Sequence, residues 1–294
     1  MIRLNGRVAI VTGAGGGLGR AHAHLLAARG ARVVVNDVGA AAEQVVQEIV
    51  SEGGEAIAAV GSVTDEDFVL QMAADAKQRW GQLDILVNNA GILRDKTFAK
   101  MDLADFRTVL DVHVMGAVNC TKAVWETMRE QRYGRIVMTT SSSGLFGNFG
   151  QSNYGAAKMA LVGLMQTLGL EGEKYDIKVN CLAPTAATQM MEGVLPEQQL
   201  RLLRPEYVSP AMLALVREGA PTRTILCAGA KGVEAAHISM TQGIHIADED
   251  QMPEAIVSNW DQILDAGNAF IPNNALEQSR LELAKAGYVP GDAP

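Results

Sequence analysis

Cysteine is scarce: Cys120, Cys181 and Cys227 are the three present, far apart and in apolar segments. An odd number without metal-ligand spacing excludes a disulfide framework and reads as free thiols of a reducing compartment. Basic residues are in deficit, 25 Lys and Arg against 33 Asp and Glu, for a formal net charge of −8. That balance argues against general binding to nucleic acid or to an anionic membrane surface. No apolar run is long enough to span a bilayer, and Asn5, Gly6 and Arg7 interrupt the N-terminus, so neither a span nor a signal peptide is expected. Gly291-Asp292-Ala293-Pro294 is not a peroxisomal address, and the expected location is cytoplasmic. Internal repeats, low-complexity runs and a Pro/Ser/Gly-rich linker are all lacking. His22 and His24 have no cysteine or carboxylate partner at ligand spacing, so no metal site is expected.

What is present is organised around Ser141–Lys158. Tyr154 and Lys158 are four apart, on one face of a helix beginning near Ser152. Ser141 ends a β-patterned run, and a strand end and a helix start can converge above a sheet. An ammonium near a phenol favours the phenolate and should pull its pKa toward neutral. The serine then holds a substrate oxygen while the tyrosine gives or takes its proton. Ser143 competes as a second substrate contact, and Leu145, Phe146 and Phe149 are expected to form an apolar wall beside the substrate.

A hydride carrier is suggested near the N-terminus. Thr12-Gly13-Ala14-Gly15-Gly16-Gly17-Leu18-Gly19 follows the apolar run Val8–Val11 and opens a helix. Glycines allow a tight turn and close backbone approach, and the helix N-terminus attracts a pyrophosphate. Asp37 closes the next apolar run, where an acidic residue binds ribose hydroxyls and repels the extra phosphate of NADP. No Lys or Arg follows in 38–43, so NAD is the expected cofactor.

The glycine loop, Asn88-Asn89-Ala90-Gly91 and Ser141…Tyr154-x-x-x-Lys158, in this order, resemble the short-chain dehydrogenase/reductase family over about residues 4–230. Within it, Val35-Asn36-Asp37, Asn89 to Asp95, Gly147 to Gln151 and Arg204 to Val208 resemble the dehydrogenase part of the peroxisomal multifunctional enzymes of type 2 and bacterial single-domain relatives. The resemblance implies NAD-dependent oxidation of (3R)-3-hydroxyacyl-CoA. A 17β-hydroxysteroid dehydrogenase, a 3-oxoacyl reductase or a non-catalytic dinucleotide-binding protein are the alternatives.

By the same resemblance the cofactor is held by Gly13, Gly16, Gly17, Leu18, Gly19 and Asp37, by Ser62 and Val63 at the adenine, and by Asn89, Ala90 and Gly91. At the nicotinamide end it implies Tyr154, Lys158, Pro184, Ala187 and Thr188. The catalytic set is Ser141, Tyr154 and Lys158, with His113 standing where the family usually carries a relay asparagine. Ser141, Ser143, Phe149 and Tyr154 would face a small, lipid-like substrate. A homodimer or homotetramer is implied, through the long helix at 102–128 and the next one.

The expected fold is α/β: a doubly wound, Rossmann-type sheet of seven parallel strands with helices on both faces. The strands fall at 8–11, 32–36, 55–60, 83–87, 135–140, 177–182 and 224–227. Thr64 is expected to cap a helix at 65–80, and further helices at 42–51, 154–175 and 208–216. Residues 1–234 would form the catalytic domain, with a substrate lid near 188–206. Residues 235–294 would be an extension packed on that domain, with an extra β-ribbon at 238–246 and helices at 253–264 and 274–286.

Overall fold

Successive residues of the central strands are buried on opposite faces, as a sheet covered on both sides requires. Ala9 and Val11 face one apolar cluster, and Val8 and Ile10 face the other. The computed structural model describes residues 1–187 and 196–288. In chain order the first half runs β1 (Val8–Val11), α1 (Gly17–Ala28), β2 (Arg32–Asp37), α2 (Ala41–Ser51), β3 (Glu55–Val60), α3 (Glu66–Trp80) and β4 (Ile85–Asn88). Then come α4 (Leu103–Leu110), a π-helical turn (Asp111–Met115), α5 (Gly116–Gln131), β5 (Gly134–Thr139), α6 (Ser142–Phe146), α7 (Ser152–Gly172) and β6 (Ile177–Thr185). The remainder is α8 (Glu197–Leu202), α9 (Ser209–Val216), β7 (Ile225–Gly229), β8 (Gly232–Ala236), α10 (Met252–Ser258), α11 (Trp260–Leu264) and α12 (Leu276–Lys285).

The sheet order is β3-β2-β1-β4-β5-β6-β7-β8, parallel from β3 to β7. The order reverses between β1 and β4, so the crevice at their carboxyl ends is the ligand position of a doubly wound sheet. Residues of α1, α2 and α9 cover one face; residues of α3, α5 and α7 cover the other. At the amino ends of the strands, Arg135 is only 1% exposed. It donates to the carbonyls of Gly134, Asp176 and Arg217 and pairs with Asp176. Each of its charged nitrogens therefore has a partner, without which such burial would be costly.

Among the described residues the sheet has eight strands rather than seven. β8 pairs antiparallel with β7 through a two-residue turn, Ala230 and Lys231, with φ of 48° and 70°. Hairpin turns of that kind need positive φ at both central residues and are usually signalled by Asn-Gly; Ala-Lys gives no such signal. The ribbon expected at 238–246 is reduced to a single bridge between Met240 and Phe270. Asp65, not Thr64, caps α3, its carboxylate accepting from the Phe68 N–H. The chain divides into two compact units, Met1–Ala236 and His237–Pro294. The first part of the expected lid, 188–195, and with it Thr188, lies outside the described residues.

Candidate active site

The glycine turn is built by backbone packed on backbone. A Cβ on Gly19 would lie 2.2 Å from the Gly13 carbonyl oxygen, so no other residue fits there. Asn89 locks the turn, donating to the carbonyls of Thr12 and Gly13 at 2.9 and 3.0 Å. The Thr12 hydroxyl accepts from the N–H groups of Asn89 and Ala90. Asp37 reaches back to the turn and accepts from the Gly15 N–H at 2.9 Å. Gly16, by contrast, faces open space, and α1 begins there with no side-chain cap and no acidic residue in its first turn.

Three of the predicted catalytic residues converge. β5 stops at Thr139, and the Thr140 hydroxyl donates to the Lys158 carbonyl at 2.7 Å, clamping the strand end to the first turns of α7. Ser141 leaves the strand in extended conformation and caps α6, its Oγ accepting from the Ser143 N–H at 3.2 Å. The Ser141 side chain is close enough to the Tyr154 phenol to favour the phenolate. Lys158 is buried and donates from Nζ to the Thr139 carbonyl at 2.6 Å, with Nζ 5.5 Å from the Tyr154 ring centroid.

The electrostatics correct the sequence expectation. Burial of the phenol outweighs the Ser141 interaction, so Tyr154 titrates above its ordinary value; the Asp95 charge adds to the rise. Burial also brings Lys158 down to about 7. Taking both groups out of water disfavours both charged forms.

His113 sits on the π-helical turn that interrupts the expected long helix; π-bulges concentrate at functional sites. Its ring packs edge-on against Tyr154, centroids 5.3 Å apart. A Cβ on Gly91 would lie 2.3 Å from the imidazole, so Gly91 is what makes room for it. Nε2 lies 3.0 Å from the Ile92 N–H and 2.8 Å from the Ile92 carbonyl, while the buried Nδ1 has no partner among the described residues. Burial, with the nearby Lys158 charge, lowers His113 to about 3, so the ring is neutral and offers one donor and one acceptor.

Other predicted cofactor residues also have partners within the protein. Ser62 bonds the Thr64 hydroxyl and N–H within its own turn. Val63 is buried against Gly116, and its carbonyl accepts from Asn119. Pro184 lies within β6, and the Ala187 N–H donates to the Leu203 carbonyl at 2.6 Å. Of the expected wall, Leu145 packs against the core, while Phe146 and Phe149 are 73% and 88% exposed. Sequence reasoning assigned no role to Asn153, buried beside Tyr154 and donating to the Arg94 carbonyl at 3.0 Å. Nor did it assign one to Asp95 and Gln151.

The sequence profile of the short chain dehydrogenase family matches residues 7–199. The chain belongs to this family. The mouse peroxisomal multifunctional enzyme type 2 is 42% identical over 291 residues, 95% of this chain and 39% of that protein. A short-chain type dehydrogenase/reductase of Mycobacterium tuberculosis is 44% identical over 276 residues, 90% of this chain and 96% of that one. This short-chain dehydrogenase thus spans well under half of the mouse protein. Among solved structures, a 7α-hydroxysteroid dehydrogenase complexed with NADH and 7-oxo glycochenodeoxycholic acid superposes with a TM-score of 0.73 at 32% identity, covering 78% of this chain and 95% of that one. The protein is therefore an oxidoreductase acting on CH–OH groups, and the group held by its hydroxysteroid dehydrogenase neighbour is NADH. The residues present fit that group: the uncapped start of α1 and the open side of Gly16 suit a pyrophosphate, and the Asp37 carboxylate suits ribose hydroxyls.

Proposed function

We propose that this short-chain dehydrogenase uses NAD to oxidise (3R)-3-hydroxyacyl-CoA to 3-oxoacyl-CoA, acting as a homodimer or homotetramer. The observation that carries the chemistry is the meeting of Ser141, Tyr154 and Lys158 at the end of β5. When bound, the nicotinamide supplies the hydride acceptor. Burial keeps Tyr154 a phenol at rest, so it must pass its own proton on, toward Lys158, to take the hydroxyl proton as the carbinol carbon is oxidised, while Ser141 holds the oxygen as it becomes a carbonyl. Ser141 Oγ accepts from a backbone N–H, which leaves its own proton free to donate to that oxygen. Lys158, brought by burial to about 7, can take up and release a proton near neutral pH. Gly13, Gly17, Leu18, Gly19 and Ala90 shape the cofactor cradle.

NAD is preferred over NADP on the support of Asp37, whose charge faces the glycine turn. The acyl-CoA reading is supported by similarity to the mouse enzyme along nearly the whole chain and by the exposed Phe146 and Phe149, which follow Ser141 in the chain and suit a lipid-like chain. A hydroxysteroid substrate is the second reading, favoured by the structural likeness to the 7α-hydroxysteroid dehydrogenase. The test is NADH formation against a panel of (3R)- and (3S)-3-hydroxyacyl-CoAs and hydroxysteroids. Turnover of the (3R)-thioesters at the highest kcat/KM is expected; preference for a steroid would replace the substrate assignment, and no turnover of any alcohol would reject catalysis.

A further inference from the structure

A chain of hydrogen bonds beside Tyr154 has so far no part in the chemistry. Gln151, just before α7, donates from Nε2 to the Asp95 carboxylate at 2.6 Å. Its Oε1 accepts from the Ser143 hydroxyl at 2.7 Å and from Asn148 Nδ2 at 2.9 Å. The amide has one orientation that satisfies these three partners, because a carboxylate can only accept. Asp95 thereby dictates that Oε1 faces Ser143, and that the Ser143 proton is spent on Gln151. Ser143 then offers only lone pairs to anything else it meets, while its N–H holds Ser141 Oγ at 3.2 Å.

The same contact joins two loops. The Lys96 N–H donates to the Gly150 carbonyl at 2.9 Å, and Asn153 Nδ2 donates to the Arg94 carbonyl at 3.0 Å. Arg94 and Lys96 both turn to Asp105, so Asp95 has no ion-pair partner among the described residues and its charge falls to Gln151 alone. That charge reaches the Tyr154 phenol as well.

We propose that Asp95 is a positioning residue for the alcohol oxidation: acting through Gln151, it fixes the Ser143 hydroxyl and holds the turn at 147–151 against the loop at 92–97, on the substrate side of Tyr154. The proposal rests on the dehydrogenase reading, so its test has one arm that needs no turnover. Asp95 is exposed, and substitutions there leave the core intact.

The variants are Asp95→Ala, Asp95→Asn, Gln151→Glu and the double variant Asp95→Asn/Gln151→Glu in the full chain. Asp95→Ala loses a charge-assisted acceptor and Gln151→Glu sets two carboxylates against each other; each raises the alcohol KM about tenfold. In both, the NADH dissociation constant measured by fluorescence stays near the wild-type value. Asp95→Asn keeps an acceptor and a near-normal KM. The double variant recovers, since the introduced amide donates to the introduced carboxylate. In the independent arm, hydrogen–deuterium exchange at 143–151 quickens in Asp95→Ala and Gln151→Glu and slows again in the double variant. Unchanged KM and exchange in Asp95→Ala and Gln151→Glu, or a double variant no better than Gln151→Glu alone, overturns the proposal. A wild type that oxidises none of the panel removes the dehydrogenase reading, and the exchange arm still decides the positioning role.

Discussion

At the scale of single residues, burial governs the chemistry. Tyr154 and Lys158 are adjacent, yet the phenol is raised and the ammonium lowered because both are removed from water. His113 is held neutral by the same effect and touches the phenol ring edge-on. His113→Ala should lower kcat about a hundredfold, the scale of a lost acid–base relay, while the KM for NAD moves little; an unchanged kcat would mean that the imidazole only fills space. In the proposed function Asp37 carries cofactor choice. Asp37→Ala should raise kcat/KM for NADP relative to NAD by about tenfold or more, as removal of one like-charge contact permits. Equal use of both cofactors by the unmodified protein would refute the assignment.

Elements bring these residues together by contacts that a single strand or helix does not contain. The β1–α1 turn closes only because Gly19 lies against the Gly13 carbonyl and Asn89 bonds across it. Gly19→Ala should abolish measurable NADH binding and lower the melting temperature, both readable by fluorescence. The β7–β8 hairpin is the opposite case, a turn made with unsuitable residues. Ala230 at φ 48° carries the left-handed penalty of about 1 kcal/mol that Asn largely escapes. Ala230→Asn should therefore raise the unfolding midpoint in urea by a corresponding amount without changing kcat, and a lower midpoint would show that the turn is held by something other than its backbone.

Across the whole molecule, two buried histidines set the acid limit of stability. His22 is fully buried, bonded to Ser209 at 2.8 Å through Nδ1, and burial lowers it to about 4; His113 is lowered to about 3. Both lie below the unfolded value, so the unfolded chain binds protons first. The stability is fully present above about pH 6.5 and drains as pH falls toward the folded values. Each histidine should cost about 2 kcal/mol between neutrality and about pH 5. Urea titrations at the two pH values check this, and His22→Gln should remove its share of the difference.

Much of the molecule was legible in its letters because the physics there is local. Two-faced burial writes apolar runs, which located the strands from β1 to β7. The order glycine turn, Asn-Asn-Ala-Gly, Ser, Tyr-x-x-x-Lys marked the family and picked out the trio proposed as catalytic, since a turn, a cap and a helical spacing of four are short-range facts. The eighth strand escaped because Ala-Lys does not announce a hairpin, and Thr64 displaced Asp65 as a cap because both residue types suit that role. The direction of the Tyr154 shift, the turn of Lys158 toward Thr139, the room Gly91 leaves for His113 and the bond from Gln151 to Asp95 join residues distant in sequence. Desolvation and hydrogen-bond partners depend on what the fold places around a group, and only the tertiary structure supplies that.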